Sequence, residues 1–301
     1  MEEEVHGLAS ASSKRLMRAP FRLVGLAFIA ALGLVALFAD RIAPADPFDT
    51  TGPALSSPSG RPPMGTDNLG RDLATGIVHG TRTSLTVVVA VVAISAVVGI
   101  TVGAVAGLRG GVLDLLLMRI GELVQVVPRF FLALLVIASF GPGIDRLIVL
   151  LGLTSWPLLA RVVRIEVLAL KQREFVAAAV ATGASGPRVL VAHIVPNVLP
   201  VAVVLLTLLA SRIILIEAGL AFLGLGDQDR VSWGALANNA QNFLQLAWWM
   251  ALFPGLAIAL AVFGLNLLGG LGERSAGTRA FLRALGGSVA ARLNRLRGRR
   301  S

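Results

Sequence analysis

The chain has no cysteine, only 3 histidines and 17 acidic side chains, and just two lysines, Lys14 and Lys171, among its 27 basic residues. Each scarcity closes a class of chemistry. Without cysteine there is neither a disulfide nor a thiolate metal site. His6, His79 and His193 lack metal-ligand spacing, and no nucleophile elbow or paired-carboxylate site stands out. A phosphate-binding loop needs Gly-Lys followed by Ser or Thr, so that backbone amides and an ammonium hold the nucleotide. Lys14 follows Ser13 and Lys171 follows Leu170, so this chain is not itself an ATPase. The expectation is a non-catalytic protein with no metal and no cofactor of its own.

What is present is apolar. The 301 residues are 55% hydrophobic and 15% charged, with a mean hydropathy of +0.80, far from the profile of a soluble domain. A span needs roughly 20 apolar residues to cross the hydrocarbon, which gives room for about six. The candidate runs are Leu23 to Ala39, Ser84 to Leu108, Leu113 to Phe140, Leu147 to Leu170, Asn197 to Leu220 and Trp248 to Leu268. The first is followed by Asp40, Arg41, Ile42 and Pro44 instead of a small-residue cleavage site, so an uncleaved span is favoured over a signal peptide. Arg119, Glu122, Pro128 and Arg129 interrupt the third. Trp248 and Trp249 are placed as an interfacial belt at the start of the sixth.

The net charge of +10 is a topology signal more than a binding signal. Lys14, Arg15, Arg18 and Arg22 precede the first span, and Arg274, Arg279, Arg283, Arg292, Arg295, Arg297, Arg299 and Arg300 follow the last. With an even number of spans both termini lie on one side, which the positive-inside rule makes the cytoplasm. The segment after the fourth span, with Lys171, Arg173 and Arg188, falls on the same side. Between Asp40 and Arg82 five aspartates balance four arginines, as expected of an extracytoplasmic loop. The Arg-rich end is read as lying against anionic lipid or freely solvated, in preference to binding nucleic acid.

Glu174 to Pro200, EFVAAAVATGASGPRVLVAHIVPNVLP, is a Gly-hinged helical hairpin between two runs too apolar for water. The Ala-rich stretch from Phe175 is helical by propensity, Gly183 can reverse the chain, Pro187 suits the start of a second short helix, and Pro196 is expected to end it. These residues resemble the cytoplasmic loop of the transmembrane subunits of binding-protein-dependent ABC importers. Ala177, Ala178 and Ala179 fill the Glu-Ala-Ala positions of that loop, Gly183 is its glycine, and Ile194, Val195 and Pro196 stand near its end. Ala177 departs from the usual glutamate. The resemblance implies that Phe175, Ala178, Ala179, Gly183, Ala184, His193 and Pro196 form the contact with an ATPase.

A second stretch narrows the family. Gly65, Thr66, Asp67, Asn68, Leu69, Gly70, Arg71 and Asp72, GTDNLGRD, favour a compact turn-rich loop. They closely resemble a segment of the second permease subunit of dipeptide, oligopeptide and nickel importers. Further matches follow in order: GTRTSL from Gly80, Trp156 and Pro157, HIVPN from His193, Glu217, FLGLG from Phe222, SWG from Ser232, FPG from Phe253 and NLLG from Asn266. Eight ordered motifs between about Arg18 and Gly269 carry more than any one alone. The departure lies at Asp227, Gln228, Asp229, Arg230 and Val231, a charged stretch where the family has prolines.

Inside the spans, Gly99, Gly103 and Gly107 align on one helix face and predict close packing against another helix. Arg119 and Glu122 are spaced to pair, and Arg161 and Arg164 are placed to snorkel. Arg212 and Glu217 point about 140 degrees apart by the geometry of a 3.6-residue turn, so each needs a partner elsewhere. They are candidates for the translocation pathway or a subunit interface, with snorkelling as the alternative.

The resemblance implies an all-α membrane protein of about six transmembrane helices with the type I ABC importer permease fold, multi-pass in the cell (inner) membrane with both termini cytoplasmic. Its divisions are a tail to residue 22, a first span at 23–39, an extracytoplasmic loop at 40–81, a five-helix core at 82–271 with a coupling loop near 171–196, and a tail at 272–301. Implied partners are a second homologous permease, two ATPase subunits, an extracytoplasmic substrate-binding protein and membrane lipids. The alternatives are an ion-coupled secondary transporter, which predicts inverted repeats not seen here, and a non-transporting membrane scaffold.

Overall fold

The computed structural model describes residues 19–269, with side chains from Leu23 onward; the extreme N-terminal stretch and the expected Arg-rich tail at 272–301 lie outside the described residues. The elements are α1 (Ala19–Leu37), α2 (Ala39–Ile42), α3 (Leu73–Arg109), α4 (Gly111–Val126), α5 (Arg129–Phe140), α6 (Ile144–Lys171), α7 (Glu174–Ala181), α8 (Gly186–Val189), α9 (Val195–Leu220), α10 (Trp233–Ala240) and α11 (Trp249–Gly269). Among the described residues there is no strand, only two isolated bridges. Among the described residues four helices are long and apolar enough to cross a membrane, the bent pair α4–α5 makes a fifth, and α1 contributes the shorter apolar helix Leu23–Leu37.

The break in the third run has a local cause. Proline removes an N–H and disfavours helical geometry in the residue before it. Val127 is accordingly extended, and α4 and α5 meet at 76°. The second run starts earlier than its apolar stretch, because Asp72 caps α3 by accepting from Thr75 N at 3.0 Å and from the Thr75 hydroxyl at 2.6 Å. Polar first turns thereby join an apolar helix.

α3 and α6 run parallel and pack through small residues. A Cβ at Gly99 would stand 3.0 Å from Leu159, one at Gly107 2.8 Å from Val167, and one at Gly103 would collide with the Ala160 carbonyl. Gly152 of α6 returns the arrangement by accepting Ile94 of α3. Glycine lets the backbones approach where any side chain would hold them off. Around this pair the core closes with Val87, Val91, Leu151, Ile213, Ile214 and Trp233, and with Ala261 and Leu265 of α11.

The fifth run differs from expectation at Pro196. The short helix α8 does not end there; it continues through a widened π turn, Leu190–Ile194, into α9, so that Gly186–Leu225 forms one apolar rod of 40 residues. The widened turn resolves the proline problem: Val195 N donates back to Leu190 O, and the Asn197 side chain donates to His193 O at 2.7 Å.

Candidate functional site

The hairpin sits on a buried foot. Val176 of α7, Val189 of α8 and Ile194 are 4%, 3% and 0% exposed, packed with Ala104 of α3, Val163 and Val167 of α6 and Val198 of α9. The hairpin is therefore packed against three long helices at once. The turn between α7 and α8 is a Schellman motif: Ala184 N donates to Ala179 O at 3.0 Å and Gly183 N to Val180 O at 2.9 Å. Gly183 has φ +86, which glycine adopts without strain, and open space surrounds it. Thr182 closes the helix end with its hydroxyl on Ala178 O and Ala179 O.

Of the residues assigned to ATPase contact, Phe175, Ala178, Gly183 and Pro196 are exposed, Ala179, Ala184 and His193 are half-buried, and Phe175 stands 6.5 Å from His193 between ring centroids. A shallow apolar groove of about 530 Å³ runs from Leu108 and Lys171 along Val180 and Ala184. Lys171 fixes its rim by donating to Leu108 O at 2.8 Å, a cation on the C-terminal carbonyls of α3. Arg164 differs from the snorkelling expectation. Its guanidinium holds Asp114 bidentately at 2.5 and 2.6 Å, tying α6 to the first turn of α4. Arg119 and Glu122 pair at 2.9 Å on the exposed face of α4.

At the opposite end the GTDNLGRD loop is rigidly built. Asp67, 4% exposed, accepts from Leu69 N at 2.8 Å and Arg71 N at 2.9 Å, and Thr66 donates to Pro53 O at 2.7 Å. Gly65 and Gly70 take positive φ, +79 and +73, where a side chain would strike Trp249 or the Gly52 carbonyl. Trp249 is thus not part of an interfacial belt: it is 5% exposed and donates from Nε1 to Thr66 O at 3.1 Å, whereas its neighbour Trp248 is exposed. Trp248 lies in the turn just before α11 and Trp249 is its first residue, so one faces out and the other faces the loop. Arg71 lies over the Phe48 ring at 5.2 Å. Beside the loop is a cavity of about 320 Å³ lined by Phe48, Arg71, Asp72, Asp227, Arg230 and Asn239. The charged stretch that replaces the prolines has a structural task here, since Asp227 accepts from Ile144 N at 3.2 Å and caps α6.

Three motifs far apart in sequence meet around Glu217. Ser84 donates to its Oε2 at 3.2 Å, the Ser232 hydroxyl faces it, and Trp233 N reaches Ser84 Oγ at 3.4 Å. Gly80 admits Trp233, which is 1% exposed and donates from Nε1 to Ile77 O, and Gly234 lies against Ala218. The two candidates, Arg212 and Glu217, point apart, as a separation of five residues on a helix requires. Glu217 is 4% exposed inside the chain, and Arg212 is exposed on the other face of α9. The serines and Trp233 were missed as partners because no local spacing links them.

The model for binding-protein-dependent transport system inner membrane components matches residues 99–274. The chain is 36% identical over 259 residues to the dipeptide transport system permease protein of Alkalihalophilus pseudofirmus, covering 85% of each chain. It is 35% identical over 255 residues to the di/tripeptide transport system permease protein of Pseudomonas aeruginosa, covering 82% of this chain and 84% of that one. With the nickel transport system permease protein of Escherichia coli it shares 36% over 248 residues, 82% of this chain and 90% of that one. Together with the bundle of apolar helices, these matches identify a multi-pass membrane protein that belongs to the family of binding-protein-dependent transport system inner membrane components, with the type I importer permease fold.

Proposed function

We propose that this chain and a second homologous permease form the translocation path of an importer for peptides, or for nickel or a related small solute, driven by two separate ATPase subunits. The observation that carries this reading is the hairpin of α7 and α8, an exposed tip on a foot buried among α3, α6 and α9. Such an element converts a push from outside the bilayer into tilting of packed helices, which is what alternating access requires. Phe175, Ala178 and Gly183 present the contact by shape, since Ala177 brings no carboxylate there. In this reading the hairpin and both termini are cytoplasmic, and the rigid GTDNLGRD loop faces the binding protein outside. The named substrates of the relatives support peptide or nickel import here too.

The test is twofold. Purification of this chain from its own membranes should bring down a second permease and an ATPase pair. Gly183→Val, strained by φ +86 but meeting no neighbour, should leave the chain inserted and uncouple ATP hydrolysis from uptake. Normal uptake by that variant, or purification of the chain alone, overturns the proposal.

A further inference from the structure

Arg129 and Arg212 are charges that the packing does not explain. Arg129 opens α5 at the break of the third span and donates from Nη2 to Thr154 O of α6 at 3.2 Å. One turn along, Ala133 packs with Leu147 and Leu220, and Leu150 and Ile216 pack against the same group, which sets α5, α6 and α9 side by side. Arg212 lies one turn before Ile216 on α9, exposed, and the shared packing of Ala133, Ile216 and Leu220 brings it toward the Arg129 end of α5. Among the described residues no carboxylate lies within ion-pair reach of either one.

Depth makes the arrangement expensive. At 1.5 Å per residue Arg212 stands about 12 Å before the end of α9 at Leu220, and Arg129 about 16 Å before Phe140, so each is set about two to three helical turns inside an apolar helix. An uncompensated charge there costs several kcal/mol, and two adjacent ones repel as well. Such residues persist where they face water and meet an anion.

We propose that Arg129 and Arg212 form a cationic station in the translocation path that receives the anionic group of the transported solute, a free carboxylate in the case of a peptide. The inference rests on the transport reading above. Two guanidiniums supply parallel N–H donors suited to a carboxylate, whose bonds to them are stronger than neutral ones. Their mutual repulsion is relieved only while the anion is bound, which favours occupancy in transit without any resident acid. The competing occupant is an acidic side chain of the second permease.

Because the chain has no cysteine, Arg212→Cys introduces the single thiol of this subunit. In the assembled importer in membranes, labelling of that thiol, read on this chain by mass spectrometry, is compared for an anionic sulfonatoethyl and a cationic aminoethyl methanethiosulfonate. The expected result is labelling that favours the anionic reagent severalfold, a preference abolished by adding Arg129→Gln. Absence of labelling, or no charge preference, overturns the proposal. In parallel, Arg212→Gln should lower dialanine uptake on the order of tenfold, the effect of one charge-assisted hydrogen bond, while the variant still assembles with the second permease. Unaltered uptake, or loss of assembly with the second permease, overturns it in favour of a structural role. A wild-type importer that takes up no dialanine refutes the peptide assignment, while the labelling result still decides the cationic station.

Discussion

Ser84 of α3 donates to the Glu217 carboxylate of α9 at 3.2 Å, and the same hydroxyl receives Trp233 N at 3.4 Å. One oxygen thus joins a long helix, a second long helix and the start of α10. Glu217→Leu leaves the Ser84 and Ser232 hydroxyls without their acceptor in a dry place, at a cost of about 1–3 kcal/mol. Glu217→Gln retains an acceptor at the same reach. Thermal unfolding in detergent should therefore order the variants as wild type, then Gln, then Leu; equal midpoints for Gln and Leu would remove the node from the account of stability.

The clamp between Arg164 and Asp114 gives the second prediction. Its two bonds at 2.5 and 2.6 Å hold α6 against α4, next to the broken third span. Arg164→Lys keeps the charge but loses the bidentate fork. A double-mutant cycle with Asp114→Asn and Arg164→Met should give a coupling of about 1 kcal/mol, in the range of partly exposed pairs. Additive single effects would show that the clamp contributes nothing.

Gly103 and Gly219 separate space from mere helix propensity. A Cβ at Gly103 would collide with the Ala160 carbonyl and stand 2.8 Å from Val163, while one at Gly219 meets nothing within 4 Å. Gly103→Ala should then destabilise by about 1–3 kcal/mol through overpacking. Gly219→Ala should be neutral or stabilising through the better helix propensity of alanine. Both are read by unfolding midpoints in detergent, and a reversed order would refute the close α3–α6 approach.

The apolar runs, the turn at Gly183 and the interruption at Pro128 were legible because each is written in consecutive residues. The start of α3 at Leu73 was not, since Leu73 to Thr83 include polar residues and hydropathy registers only the later stretch; the Asp72 cap with Thr75 was the available signal. Pro196 misled for a different reason: local rules end a helix at proline, but a widened turn lets the chain pass through it. The burial of Trp249 and the meeting of Ser84, Glu217 and Ser232 depend on contacts over long separations. No spacing rule in a single sequence reaches them.

A pH dependence follows from Arg82 and Asp40. The Arg82 guanidinium, donating at 2.8 Å to each Asp40 oxygen and at 2.9 Å to Ala36 O, holds the Asp40 carboxyl below the ordinary carboxylate range. A depressed folded pKa means that the contact contributes above the unfolded value of about 4 and is lost as pH falls through the lowered one. Asp40→Asn should flatten that acidic limb without changing behaviour at neutral pH beyond a small offset. Following the α1–α3 junction by hydrogen exchange across the acid range checks this; identical profiles for both proteins would refute it.

The last prediction concerns the loop before α3. Asp67 Oδ1 receives two backbone N–H groups, from Leu69 and Arg71, so that the turn around Gly70 is held from inside. Asp67→Asn keeps an oxygen in that position, whereas Asp67→Ala orphans both donors at about 1–3 kcal/mol. The loop is also tied to α11 by the Trp249 indole on Thr66 O, so a loosened turn should retain one anchor and open locally instead of unfolding the bundle. Limited trypsin digestion in membranes reads this directly, because the bond after Arg71 lies within the turn. Asp67→Ala should be cut there much faster than wild type, Asp67→Asn little faster, and both should keep the same unfolding midpoint for the helices. Equal protection of Asp67→Ala and wild type would mean that Thr66 and Trp249 alone hold the loop.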